Sequence, residues 1–233
     1  MKLRLKTNYY DYYDLAFNYG YEGPVYERIG GNTGPTKREQ FRILEGAGFL
    51  TPPNGLVGAV LGEWWESENQ RIKAVVAYTD EQAHCGEGKR LIRWGELKSN
   101  PDMGSPGGDR YWKEKQLYCS AFVGDQLYQP TGLSWRRLQI GRHVFWVEYQ
   151  SAVSWMSNVD GDCRLIGTEW DVGFHQSINR PLFAVDFVLG KEMYAVDLNY
   201  GPGIRGSGVE DVLPAKRVVE SIAEWFDEFG VVE

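Results

Sequence analysis

Phe183-Ala-Val-Asp-Phe-Val-Leu-Gly-Lys-Glu-Met-Tyr-Ala-Val-Asp-Leu-Asn-Tyr-Gly-Pro-Gly203 decides the reading of this chain. Residues 183–189 are β-branched and aromatic, and 193–198 repeat that character. Between them Gly190-Lys191 reads as a two-residue turn whose glycine supplies a positive φ, so the stretch is a β-hairpin. Pairing Leu189 with Glu192 puts Val185, Phe187, Leu189, Tyr194, Val196 and Leu198 on one face, and Asp186, Asp197 and Asn199 on the other. In that register Asp186 and Asp197 are diagonal neighbours, roughly 7–8 Å apart. Carboxylates so near each other favour a cation or a shared proton. Three oxygen donors suit a hard ion such as Mg2+, which keeps coordination places for water and phosphate. The same pattern also fits a solvated face with incidental acids.

Asp186…Asp197-Leu-Asn199-Tyr-Gly-Pro202-Gly203 resembles the metal-binding end of the ATP-grasp superfamily: an acid on one strand, a turn, then Glu-x-Asn followed closely by Pro-Gly. Asp197 stands where the family commonly has Glu. Thr36-Lys-Arg-Glu39 forms a capping box for a helix with Phe41, Leu44 and Ala47 at helical spacing and Gly48 at its end. With Phe49-Leu-Thr-Pro52 after it, this segment is similar to the family's entry helix. Leu50-Thr-Pro-Pro-Asn-Gly55 is expected to turn into an apolar strand.

Strands are expected at 72–79 and 90–94, with Gly86, Gly88 and Lys89 in the loop between them. Backbone N–H groups and one ammonium in such a loop can meet phosphate. An ordinary hairpin loop gives the same letters. Strand, Gly-rich loop and strand resemble the family's lid, and Ala77-Tyr78 stands where the family usually has a phosphate-binding Lys. The segment around Glu114-Lys115 resembles the adenine hinge, followed by a hairpin about Gly124-Asp125. An amphipathic helix is expected over 211–226, with Pro214 in its first turn and Val218, Val219 and Ile222 on its apolar stripe.

The resemblance implies an α+β protein of ATP-grasp fold, two lobes clasping a nucleotide: 1–35 as a Tyr- and Gly-rich segment, 36–110 as the lobe with the lid, 111–233 as the lobe with the metal site. It implies a ligase that uses ATP and Mg2+ to join a small-molecule or peptide carboxylate to an amine through an acyl-phosphate. Asp186, Asp197 and Asn199 would hold the metal. Gly86, Gly88 and Lys89 would hold phosphate, with Glu114 and Lys115 on the adenine side. Lys89, Arg180 and Arg205 would contact the transferred phosphate or the acceptor. A kinase of the same fold, or a non-catalytic nucleotide-binding scaffold, would share these motifs.

Composition sets the class. Of 233 residues 42% are hydrophobic and nine are Trp, which fits a packed protein. No apolar run reaches membrane-spanning length, so no membrane partner is expected. A formal net charge of −7 disfavours nucleic acid. Arg136, Arg137 and Arg142 read as exposed strand charges rather than a basic groove. The first ten residues carry charge without an apolar stretch, and no secretory leader is expected. Cys85, Cys119 and Cys163 fit neither a disulfide framework nor a zinc site, which points to a reducing, cytoplasmic setting. His84, His143 and His175 read as packing or surface residues. Among patterns for catalysis, Gly-x-Ser-x-Gly, a Cys/His nucleophile pair and a Walker loop are lacking.

Overall fold

The computed structural model describes residues 35–60, 74–81, 88–93, 116–123, 132–158, 160–170, 178–200, 202, 204 and 206–229. Helix α1 (Lys37–Gly46) starts from the expected capping box: the Thr36 hydroxyl accepts the Glu39 N–H at 3.3 Å, and the Glu39 carboxylate accepts the Thr36 N–H at 2.8 Å. At the other end Gly48 takes φ +84°, and the N–H groups of Gly48 and Phe49 turn back to the carbonyls of Glu45 and Leu44 at 3.0 Å each. That left-handed exit satisfies two helix carbonyls, and glycine alone adopts it without a Cβ penalty.

The chain divides into two compact units. Pro35–Pro130 and Val188–Val196 group in the first. Its sheet contains β1 (Asn54–Leu56), β2 (Ala74–Tyr78), β3 (Lys89–Arg93) and β4 (Tyr118–Ala121), in the order β1-β4-β2-β3. Every neighbouring pair is antiparallel. The strand expected after Pro53 is only three residues long, because the apolar run becomes helical at 57–60. Val57 and Val60, one turn apart, bury together against Val75, Ala77, Ile92 and Cys119 on one sheet face. The opposite face, with Tyr78 and Tyr118, packs on Phe41 of α1.

Thr131–Phe187 and Asp197–Glu233 belong to the second unit. The strands β5 (Gly132–Ile140), β6 (His143–Ser151), β7 (Gly161–Trp170), β8 (Leu182–Leu189) and β9 (Met193–Asn199) lie in the order β7-β6-β5-β8-β9. A bulge between β6 and β7 pairs Trp146 with Gly167 and Val147 with Leu165, and leaves Ile166 unmatched and exposed. Leu138, Ile140, Phe145, Val147, Leu182 and Ala184 form one face, which buries against Val218, Ile222 and Trp225 of helix α3 (Ala215–Phe229). The one-turn helix α2 (Val209–Val212) adds Val209 to the same core.

Three expectations change here. The C-terminal helix does not run from 211: Leu213 is extended at φ −124°, ψ 91°, and α3 starts after Pro214, whose carbonyl accepts the Arg217 N–H at 2.7 Å. Proline disfavours a helical conformation at the residue before it, which separates α2 from α3. The β8–β9 turn comprises Gly190, Lys191 and Glu192, and Gly190 is not among the positive-φ glycines. Space decides that position: a Cβ on Gly190 would lie 3.0 Å from Val123 Cγ1 and 3.3 Å from the Tyr194 ring. Finally, the acidic face of the hairpin is not the unpacked one. Leu182 and Ala184 share the parity of Asp186 and are fully buried, so both faces pack: Val185, Phe187 and Leu198 of the apolar face are buried as expected, with Leu189 at the tip 54% exposed.

Among the described residues no helix is long and apolar enough to cross a membrane.

Candidate functional site

Along β5 the even positions Arg136, Leu138 and Ile140 face the helices, and the odd positions Trp135, Arg137 and Gln139 face away. Along β8 the matching positions are Leu182, Ala184 and Asp186. The register makes Arg136 and Asp186 direct cross-strand partners, just beyond the last apolar pair, Leu138 and Ala184. Along β5 and β8 the run of apolar pairs therefore gives way to an ion pair. Arg136 Nε donates to Asp186 Oδ1 at 2.7 Å and Nη2 donates to Oδ2 at 2.8 Å, a bidentate fork. The Arg136 side chain is 14% exposed and that of Asp186 20%. Tyr149 on β6 completes the seat: its ring centroid lies 4.9 Å from Arg136 Cζ, and its hydroxyl accepts from Nη1 at 3.3 Å.

Burial alone would lower the Arg136 pKa. The Asp186 charge and hydrogen bonds outweigh it and hold the guanidinium above its ordinary value, with smaller contributions from Tyr149 and Asp197. Asp186 and Asp197 thus act on the same cation. Asn199 is the last residue of β9, two positions beyond Asp197. Arg180, just before β8, lays its Cζ 3.9 Å from the centroid of the Tyr200 ring.

The reading of Arg136 and Arg137 as exposed strand charges is overturned. Arg137 is buried, donating to Gln139 Oε1 at 2.9 Å and lying 3.8 Å from Glu169. Arg142 pairs with Glu228 of α3. Arg136 and Tyr149 are the residues that sequence reasoning missed at this site. The signal was parity: an arginine in phase with Leu138 and Ile140 needs an acid on the neighbouring strand.

In the first unit Lys89 opens β3 opposite Tyr78, and so lies on the sheet face that packs on α1. Gly88 takes φ +66°, and its carbonyl accepts both the Thr79 N–H at 2.7 Å and the Thr79 hydroxyl at 3.0 Å. Gly86, Glu114, Lys115 and Arg205 lie outside the described residues, as does the hairpin expected about Gly124-Asp125.

A hard divalent ion fits the donor chemistry of the second unit. Asp186, Asp197 and Asn199 offer only oxygen to a metal, and Arg136 uses one acceptor position on each Asp186 oxygen where a carboxylate has about four in all. Among the described residues no group of three or more His, Cys, Asp and Glu gathers. Two acids and an amide would leave the other coordination positions to water and phosphate.

No protein-family model matches this chain, and no curated protein does. Solved structures do. The ATP-grasp ligase PsnB, complexed with a phosphomimetic variant of a minimal precursor, Mg and ADP, superposes with a TM-score of 0.54 at 14% identity over 91% of this chain and 65% of that one. PsnB complexed with minimal precursor, Mg and ADP gives 0.52 at 14% identity over 82% and 59%. The D-alanine–D-alanine ligase from Bacillus anthracis, complexed with ATP, gives 0.50 at 12% identity over 83% and 66%. The chain thus spans between 59% and 66% of the lengths of these three.

Proposed function

We propose that this chain, which has the ATP-grasp fold, is a Mg2+-dependent ligase that joins a carboxylate to an amine at the expense of ATP. The observation that carries the reading is the pair of acids on β8 and β9, with Asp186 held in a bidentate fork by Arg136 and Asp197 adding to the negative charge that Arg136 meets. The α+β architecture and the likeness to ligase structures support it. In this reading the first unit, which takes in 36–110 and also 111–130, supplies the lid-bearing lobe, and the metal-bearing lobe expected over 111–233 starts only after Pro130.

Asp186, Asp197 and Asn199 would hold the ion, which when bound neutralises charge on the β- and γ-phosphates. Lys89 and the backbone N–H groups of Gly86 and Gly88 would meet phosphate oxygens, and Glu114 and Lys115 the adenine. Arg180, held flat by Tyr200, and Arg205 would orient the acceptor carboxylate. One carboxylate oxygen then attacks the γ-phosphorus and ADP leaves; the amine attacks the acyl carbon and phosphate leaves. Holding these groups in line is most of what the protein contributes.

The test pairs amino acids and short peptides as carboxylate and amine, and follows phosphate release from ATP. Release is expected only when both are supplied. Asp197→Asn is expected to weaken MgATP binding at least tenfold, about 1.4 kcal/mol, with the circular dichroism spectrum unchanged. Equal affinity in parent and variant would remove Asp197 from the site. ADP with a stable phosphorylated acceptor would make the protein a kinase.

One observation supports a second reading, a nucleotide-binding protein without catalysis. Ala77, at the strand end where the resembled family carries Lys, is buried among Val57, Val60, Ile92 and Cys119. MgATP binding without phosphate release for any pair would select it.

A further inference from the structure

Arg136 is an unusual residue for its position. Its neighbours in phase along β5 are Leu138 and Ile140, both fully buried, and nothing in the packing of the core asks for a charge there. A part-buried guanidinium is costly without a fixed partner, and this one has two bonds to one carboxylate and an aromatic ring to lie on. The cross-strand register fixes the backbones of the pair, so the Asp186 carboxylate is oriented by the sheet and the fork together.

We propose that Arg136 is a positioning residue that serves as the resident counter-cation of Asp186: it keeps the carboxylate in place when no metal is bound, and makes it share its oxygens with any divalent ion that arrives. The inference rests on the reading of Asp186 as a metal ligand and concerns what a neighbouring cation does to that ligand. Two consequences follow from charge alone. Repulsion between the guanidinium and a divalent ion weakens binding of the free ion. Conversely, loss of the guanidinium leaves a part-buried carboxylate unpaired, and that cost is relieved when a metal binds. A merely structural cross-strand tie has the second property only in part: its loss lowers stability, and metal does not restore it.

The experiment uses MgCl2 alone, without nucleotide, on the parent, Arg136→Met, Arg136→Gln, Arg136→Lys and the double variant Arg136→Met/Asp186→Asn. Thermal melting is recorded in EDTA and in saturating Mg2+, and Mg2+ affinity is measured by calorimetry. Arg136→Met is expected to melt below the parent in EDTA, to recover most of the loss in Mg2+, and to bind Mg2+ about tenfold more tightly than the parent. Arg136→Lys, which keeps the charge and loses the fork, should melt below the parent but bind Mg2+ about as the parent does. The double variant should show no Mg2+ recovery, because the carboxylate that drives it has gone. If Arg136→Met folds only in Mg2+, that outcome supports the proposal. If it folds in neither condition, Arg136→Gln, which removes the charge and keeps a donor for Asp186, decides: tighter Mg2+ binding than the parent supports the proposal, and unchanged binding overturns it. A parent that binds MgATP while Arg136→Met loses the same stability with and without Mg2+ overturns the role of Arg136 and leaves the proposed function standing. A parent and variants that bind neither Mg2+ nor MgATP overturn both.

Discussion

His143 shows at the scale of one residue how packing sets chemistry away from the site. Its ring meets Trp170 edge-on, with centroids 5.0 Å apart, and stacks on Phe145. Burial lowers its pKa below 6.5, Arg217 lowers it further, and Glu224 opposes both. The folded protein therefore releases the proton at lower pH than the unfolded chain does. Stability from this residue is complete above about pH 6.5 and is lost as pH falls towards the folded pKa. His143→Phe should reduce the drop in urea midpoint between pH 7.5 and 5.5 relative to the parent. A parent and variant whose midpoints fall in parallel would show that His143 contributes nothing to that slope. Cys119 lies at the other extreme: burial pushes its thiol up to about 12, and it stays neutral throughout this range.

Elements were legible where local chemistry alone decides them. The α1 capping box is complete in four letters, Thr36 to Glu39, and its bonds use neither a distant residue nor the core. Thr36→Ala is expected to cost about 1 kcal/mol of stability, measured as a lower urea midpoint at unchanged m-value, and Thr36→Ser should cost much less. Equal losses for the two would mean that packing of the Thr36 methyl, rather than the hydroxyl, holds the helix start. The β2 and β3 strands were also readable, β2 as a short β-branched apolar run, but β2 is buried on both sides and its faces came only with the cross-strand register. Elements failed where tertiary packing chose between local options. Residues 57–60 carry letters that suit a strand, yet Val57 and Val60 reach one core only as a helical turn. Gly190 was read for its φ; what distinguishes the position is instead its close approach to the side chain of Val123, a residue 67 positions away. The hairpin acids were visible in the sequence; their partner Arg136, 50 positions upstream, was visible only as an arginine out of keeping with its strand.

On the scale of the whole molecule, one face of the second sheet has two uses. Its Leu138, Leu182 and Ala184 end packs on α3, and its Arg136 and Asp186 end carries the candidate site. Two β-strand positions separate the two uses, so stability and binding should respond to different substitutions. Ile222 of α3 is fully buried against the packed end. Ile222→Ala removes methyl groups from that core and should cost about 2–4 kcal/mol, read from urea unfolding followed by far-ultraviolet circular dichroism. Well below its melting temperature the same variant should bind MgATP within about twofold of the parent, because a cavity under Leu138 leaves the Arg136–Asp186 register fixed by the β5–β8 ladder. Asp197→Asn should show the opposite pair of effects, weaker binding at unchanged midpoint. If Ile222→Ala instead lost affinity in step with stability, the ladder would not be holding the acids, and their geometry would depend on the helix packed behind them.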